Sequence, residues 1–455
     1  MNFELTKEFI LKIELLIKEK DTDSIKTTCA NLLAPDVAEI LKVLKFDESK
    51  YLLDIFEEEF TADILIELEE DLRERLLEDL SSKEIAEEVV DNLDSDDAVD
   101  VIQELSEKKQ KEVLSNIADP QQASDLADLL SYEENSAGAL MAKEFIKVQS
   151  NWSVLRCVSE MRKQAENIDK VYTIYVVNTD NKLIGTVSLK RLLLTPEKTF
   201  ISKVYNNQII SVHANSSGEE VARIMNKYDL IVLPVINDND ELIGRITIDD
   251  VVDFMKEEAE KDYQMASGIT DHIEPVDNIW TITKARIPWL IIGMIGGLLG
   301  AVVIGLFPII KNNYELAFFI PLITAMGGNV GVQSSAIIVQ GLASKKLGID
   351  NWSKRFMKEF SVALINGLIC CSLVFLISYF FYNDNPAMIS LNLTVSISLL
   401  TVMVFAALFG TFVPLILNKY KIDPAVATGP FITTMNDVIG LFIYFKIAEL
   451  ILIPA

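Results

Sequence analysis

A carboxylate inside a membrane-length apolar stretch costs about 2.5–3.5 kcal/mol or more to hold there, which makes Asp437 the first place to look for chemistry. It stands in DPAVATGPFITTMNDVIG, residues 423–440. Three- and four-residue steps put Pro430, Thr433 or Thr434, Asp437 and Gly440 on one helical face. Gly429 and Pro430 loosen the backbone just ahead of that face and free carbonyls that can line a wet cavity. A second polar interruption, MGGNVGVQSS, places Gly327, Gly328, Asn329, Gly331, Gln333 and Ser334 within another apolar stretch; its small residues also suit close helix packing. Glu359, at a helix start, can cap or pair with Lys358 as readily as touch an ion. Together Asp437, Thr433, Thr434, Gly429, Asn329 and Gln333 offer oxygen and amide donors, with no thiolate or imidazole among them. Those are hard ligands. One carboxylate per chain suits a divalent ion that keeps several waters, which describes magnesium better than calcium, with manganese and cobalt as competitors.

Five apolar stretches reach the length of about 20 residues that a helix needs to cross ~30 Å of hydrocarbon. They lie near Pro288–Ile310, Leu316–Ala343, Phe356–Tyr382, Leu391–Leu417 and Pro424–Ile453. Lys284 and Arg286 precede the first stretch. Lys345, Lys346, Lys354, Arg355 and Lys358 follow the second, and Lys419 and Lys421 follow the fourth, whereas the opposite side has Lys311 alone. Lys and Arg collect on the cytoplasmic side, so the expectation is five spans with the N-terminal region inside the cell and the C-terminus outside. The opening MNFELTKEFILKIELL mixes acids into its apolar run and lacks the small-residue cleavage site of a signal peptide.

Residues 285–455 carry ten Lys or Arg against seven Asp or Glu, so the whole of the negative net charge of −26 belongs to the first 284 residues. That balance repels nucleic acid and anionic lipid and attracts cations. Cys29, Cys157, Cys370 and Cys371 suggest neither a disulfide framework nor a thiolate cage. Two histidines, His213 and His272, argue against a zinc site or a His-based catalytic centre. Residues 1–140 read as helical. Ala38-Glu39-Ile40-Leu41, Ala62-Asp63-Ile64-Leu65 and Ala86-Glu87-Glu88-Val89 recur at a spacing of about 24 residues, which predicts stacked helical hairpins with an acidic outer surface.

A second repeat fills residues 141–255. Leu183–Ser188 and Leu242–Thr247 lie 59 residues apart, each after a β-rich run and a turn cluster and each before a short helix. This strand–turn–strand–helix unit resembles the tandem CBS module that senses small ligands in many transporters and enzymes. Thr247 and Asp250 match the ribose-contacting pair of that module, which makes them candidate contacts for a nucleotide such as ATP; the first copy has Ser188 and Arg191 there instead. From Asp249 to Asp262 the run DDVVDFMKEEAEKD spaces carboxylates along a helix that leads toward the first span. Lys256 and Lys261 cannot pair them all, and beside an acidic domain they repel it unless cation intervenes.

Over essentially its whole length the chain resembles the MgtE family of magnesium channels. The likeness rests on the domain order, on GGNVGVQSS and DPAVATGPFITTMNDVIG, on the join LLSYEENSAGALMAKEFIKV and on IDDVVDFMKEEAEKD. It implies a multidomain protein: an all-α superhelical N-terminal domain (1–140), an α/β tandem CBS domain (141–255), a connecting or plug helix (256–284) and an α-helical transmembrane domain of five spans (285–455). It further implies a homodimer in the bacterial plasma membrane with a central Mg2+ pore, Asp437 as the ion-binding acid, and closure by the plug helices at high cytosolic Mg2+. The sensor role carries over to Asp249, Asp250, Asp253, Glu257 and Glu258, and to Asp96 and Asp97 of the helical domain. Two departures stand out: Asn215 and Ser217 replace a more acidic stretch, and Gly429 stands where asparagine is common. No GxxxxGK[ST] phosphate loop occurs, so an ATP-driven pump is disfavoured. Entry into a negative interior releases roughly 4.6 kcal/mol per 100 mV for a divalent ion, so transport needs no enzyme. An ion-coupled secondary carrier and a membrane receptor that conducts nothing are the competing classes.

Overall fold

The computed structural model describes residues 4–165, 168, 170–270, 273, 278–343, 352–381, 386–427 and 429–452. His272, Lys345 and Lys346 lie outside them. The chain divides after Lys256 into two compact units.

In the first unit, helices beginning at Ala34, Glu58, Ser82 and Glu107 are each followed by a partner beginning at Phe46, Glu70, Ser95 and Pro120. The hairpin repeat therefore has four copies, one more than the alanine-led motif marks. Lys111-Glu112-Val113-Leu114 occupies the fourth place, and lysine instead of alanine hides it. The motif positions are core positions: Ile40, Leu41, Ile64, Leu65, Val89 and Val113 are all buried. Between the second and third copies Arg73 donates through Nε to both carboxylate oxygens of Glu104 at 2.9 Å and through Nη1 to the Ile66 carbonyl at 3.1 Å. Both side chains are largely buried, 15% and 8% exposed.

The second half of this unit holds two three-stranded sheets of the same topology. In the first, β1 (Ile146–Gln149) runs parallel to β2 (Ile174–Val177), which pairs antiparallel with β3 (Leu183–Val187). The second repeats this with β4 (Val212–His213), β5 (Val232–Ile236) and β6 (Leu242–Thr247). Each antiparallel pair turns on an asparagine. Asn178 Oδ1 accepts from the Asp180 and Lys182 N–H groups and Asn237 Oδ1 from those of Asn239 and Glu241, the local bonding that makes asparagine a turn residue. The helical repeat and the second sheet share one apolar core, which runs from Ile13 through Leu65 and Val113 to Val221, Leu233 and Ile246. The first sheet keeps a core of its own around Val148, Cys157 and Val176. Packing thus shows no boundary at residue 140. Ala137 and Gly138 donate their N–H groups to the Ser216 and Ala214 carbonyls at 2.7 and 2.8 Å, stitching helical domain to sheet.

Helix α2 (Ile248–Ala266) follows β6, after α1 (Ser95–Gln103) of the repeat region. It ends early: Gly268 takes φ +83°, and the N–H groups of Gly268 and Ile269 donate back to the Met265 and Gln264 carbonyls. A left-handed glycine of this kind terminates helices because it carries no Cβ to clash. The connecting helix expected over 256–284 is therefore not one helix. The next, α3 (Ile279–Leu306), starts behind Asn278, whose Oδ1 accepts from the Trp280 and Thr281 N–H groups, and contains Pro288 in its interior.

The second unit continues with α4 (Ile320–Ala343), α5 (Trp352–Phe381), α6 (Pro386–Lys419) and α7 (Gly429–Leu452). Among the described residues four helical segments, carried by α3 to α6, are long and apolar enough to cross a membrane. The fifth expected stretch corresponds to α7, which spans about 36 Å at 1.5 Å per residue and carries Asn436, Asp437, Lys446 and Glu449 within its apolar run. It packs against α3, α4 and α6 and buries Ile432, Asn436, Gly440 and Tyr444, so neighbouring helices enclose Asn436 and half-bury Asp437, while Lys446 stays exposed and pairs with Glu449 at 3.0 Å.

The Arg73–Glu104 pair generates a test of the first unit. Arg73→Met strands a buried carboxylate and is expected to cost about 3 kcal/mol, whereas Arg73→Met with Glu104→Met recovers most of that loss. Thermal unfolding of the three proteins, followed by circular dichroism, checks both.

Candidate divalent-cation sites

Asp437 lies half-buried on α7 and faces α4 at Gly328. A Cβ added to Gly328 would come 3.7 Å from Asp437 Oδ1 and 3.0 Å from Thr433 Cγ2. Thr433 therefore shares Asp437's surroundings, while Thr434 turns its methyl group to Gly296 of α3. The carbonyl of Gly429 is engaged, accepting from Thr433 Oγ1 at 3.0 Å. Gly429 itself abuts the Ala266 carbonyl closely enough to leave no room for a Cβ. Asn329 and Gln333 are exposed, whereas Gly327, Gly328 and Gly331 of the same helix are buried. Glu359 of α5 accepts a hydrogen bond from Ser334 Oγ of α4 at 2.5 Å. Sequence reasoning passed over Asn436, which is fully buried next to Asp437. Its signal was its place in TTMNDVIG.

A second group of oxygen donors gathers at the start of α1. Glu144 Oε2 accepts from Ser95 Oγ at 2.8 Å and from Ser95 N at 3.3 Å. Arg245 donates through Nη2 to Asp94 Oδ2 at 3.2 Å and through Nε to the Glu144 carbonyl. One carboxylate oxygen from each of Asp94, Asp96 and Glu144 lies within 4.8 Å of the others. Asp250, opening α2, accepts from both the N–H and the hydroxyl of Thr247. Burial first, and then the neighbouring charges of Asp250, Asp100 and Asp94, raise Asp97 to about 7. Burial, then Asp250, Asp97 and Glu144, hold Asp96 well above the usual carboxylate range. Glu144 and Asp250 are raised chiefly by burial, although their bonds from Ser95 and Thr247 pull them down.

Carboxylates so placed bind protons or a cation. All are hard oxygen donors, the set that magnesium takes. Of the acids expected to act here, the structure brings Asp96, Asp97 and Asp250 together. Asp249, Asp253 and Glu257 are exposed. Asp253 acts instead on Glu67, whose carboxyl is raised first by burial and next by Asp253, and Glu258 pairs with Lys261 at 3.3 Å. Asp94 and Glu144 were missed, although Asp94 directly precedes Ser95-Asp96-Asp97 and Glu144 lies in the join ahead of β1. Beside this cluster Glu144, Tyr172, Thr173, Tyr175 and Arg245 line a pocket, with the Arg245 guanidinium 5.4 Å above the Tyr172 ring.

Because Asp97 binds its proton more tightly folded than unfolded, its contribution favours folding at low pH and is lost as pH rises from 3.8 toward about 7. In metal-free buffer the melting temperature should therefore fall between about pH 5 and about pH 7.5, and Asp97→Asn should flatten that fall. Thermal unfolding across pH checks it.

Three family descriptions match the chain: the MgtE intracellular N domain over residues 32–135, the CBS domain over 137–196 and 201–257, and the divalent cation transporter MgtE over 320–447. The chain is 33% identical over 326 residues to the magnesium transporter MgtE of Enterococcus faecalis, covering 71% of each. It is 31% identical to that of Bacillus subtilis over 70% of each chain, and 32% identical to that of Thermus thermophilus over 71% of this chain and 72% of the relative. Two solved structures resemble part of the chain at 26% identity: the soluble part of a magnesium transporter, with a TM-score of 0.50 over 56% of this chain and 99% of the other, and the cytosolic domain of the Mg2+ channel MgtE in complex with ATP, with 0.51 over 54% and 99%. The chain belongs to the MgtE family of magnesium transporters.

Proposed function

We propose that the protein is a Mg2+-selective channel that admits magnesium across the plasma membrane and is gated by cytosolic Mg2+. The observation that carries this reading is Asp437, a carboxylate with Thr433 beside it on a helix enclosed by apolar helices, facing a glycine of α4. Such a carboxylate is expensive unless an ion uses it. In this reading α7 crosses the membrane as a fifth span, the N-terminal region is cytoplasmic and the C-terminus outside, and two chains pair so that two copies of Asp437 face one hydrated ion.

Gating follows from the carboxylates of the first unit. Asp94, Asp96, Asp97, Glu144 and Asp250 repel one another, and a bound Mg2+ stabilises the arrangement that brings them together; without it that arrangement loosens. The acids of α2, Asp249, Asp253, Glu257 and Glu258, extend the same response toward the membrane. A ligand shifts such a balance only by its differential affinity for one state, and several weak sites acting together supply that. In this reading Thr247 and Asp250 would hold the ribose hydroxyls of a nucleotide and Arg245 would supply positive charge to its phosphates, so ATP binding and cation binding would meet at Asp250.

Mg2+ influx into liposomes holding the purified protein, read with a trapped indicator, tests the path. Asp437→Ala should cut influx by about tenfold or more, and undiminished influx would remove Asp437 from it. Neutralising Asp250, Asp253, Glu257 and Glu258 together should move the Mg2+ level that closes the channel upward by about tenfold while leaving maximal influx intact; an unchanged closing curve rejects the sensor assignment.

A further inference from the structure

We propose that Asn436 is a positioning residue for ion passage, acting through the seam between α4 and α7 and setting the rate of transport, not the affinity for the ion. The inference rests on the reading that ions pass beside Asp437. Asn436 is completely buried, yet neither Oδ1 nor Nδ2 has a hydrogen-bond partner among the described residues. The side chain aims at the glycine stripe of α4: a Cβ on Gly331 would lie 1.9 Å from Asn436 Nδ2. Glycine at 331 is thus what admits the amide. Gly331 is also held from its other side, since a Cβ on Gly410 of α6 would come 2.3 Å from the Gly331 carbonyl oxygen.

A buried amide without partners costs stability, and an apolar side chain of the same shape would avoid that cost. Residues that break such a rule without local compensation mark function. Two further buried hydroxyls on the same helices, Ser335 of α4 and Ser398 of α6, are likewise unpartnered among the described residues. Ser335 stands one turn beyond Gly331 on α4. A slide or rotation of α7 against α4 by a fraction of a turn carries the amide toward backbone carbonyls of the stripe or toward that hydroxyl. The unused hydrogen bonds of Asn436 therefore stabilise a second arrangement of the seam. Asp437 rides on the same turn of α7 and meets α4 at Gly328, one turn from Gly331, so the movement that satisfies Asn436 also moves the ion-facing carboxylate. Glycines at 328 and 331 let it occur without Cβ groups to cross.

The test uses the full-length protein in liposomes, with Mg2+ influx measured against Mg2+ concentration and melting temperature measured alongside. Asn436→Leu should melt at or above the wild-type temperature, lose maximal influx by about tenfold or more, and keep its half-saturating Mg2+ within about twofold of wild type. A purely structural asparagine moves the other way, with lower stability and influx preserved per folded protein. Wild-type influx, a lowered melting temperature or a shifted half-saturation in Asn436→Leu each overturns the proposal. If that variant does not assemble, Asn436→Ala replaces it, with the same loss of maximal influx per folded protein expected and wild-type influx overturning it. Asp437→Ala in the same vesicles reports on the path itself: if it conducts like wild type, the path is wrong whatever Asn436 does.

Discussion

The mutual repulsion of Asp94, Asp96, Asp97, Glu144 and Asp250 is the interaction around which the first unit is arranged, because it opposes the same packing that places these residues together. Asp96, Asp97 and Asp250 come from the start of α1 and the start of α2, which are far apart in sequence, and the apolar core shared by the helical repeat and the second sheet holds those starts near each other. The core supplies favourable burial. The carboxylates subtract from it by desolvation and by like charge. Arg245 offsets part of that cost through Asp94, and Ser95 and Thr247 offset more by donating to Glu144 and Asp250. What remains is charge of one sign in a partly buried place, which protons or a cation would neutralise.

The membrane unit meets the same constraint with different means. Its carboxylate, Asp437, is kept from lipid by the helices around α7, and close approach of those helices depends on glycine. Gly296 receives the Thr434 methyl, Gly328 faces Asp437 and Thr433, and Gly331 receives the Asn436 amide. A single methyl group would block the contacts at Gly296 and Gly331 and crowd Thr433 at Gly328. A stripe of glycine that lets helices approach also lets them slide, so the packing that encloses the charge need not fix it rigidly.

Much of this was legible in the sequence because it is periodic or costly. The hairpin repeat, the doubled strand–turn–strand unit and the carboxylate in an apolar run each violate or repeat a pattern that a single chain reveals. The repeat's fourth copy was not legible, since Lys111 sits on the position that alanine marks elsewhere. Nor was the end of α2, which turns on one left-handed glycine among polar residues. Helical steps along α7 grouped Thr433 with Thr434, and only the packing of α3 and α4 on opposite sides separates them. Asp94 and Glu144 join the cluster through tertiary contacts 49 to 151 residues apart in sequence, beyond the reach of any local pattern. Composition counts five apolar stretches, and the fifth, α7, carries its polar residues among packed helices.

The measurement that bears most directly on the central claim is Mg2+-dependent thermal stability of the full-length protein near neutral pH, for wild type and for the variant combining Asp96→Asn, Asp97→Asn and Glu144→Gln. If cation neutralises this cluster, the wild-type transition of the first unit climbs with Mg2+, while the variant starts higher without Mg2+ and stays flat. An equal climb in both proteins would contradict the account, because magnesium would then be stabilising the molecule somewhere other than at these carboxylates.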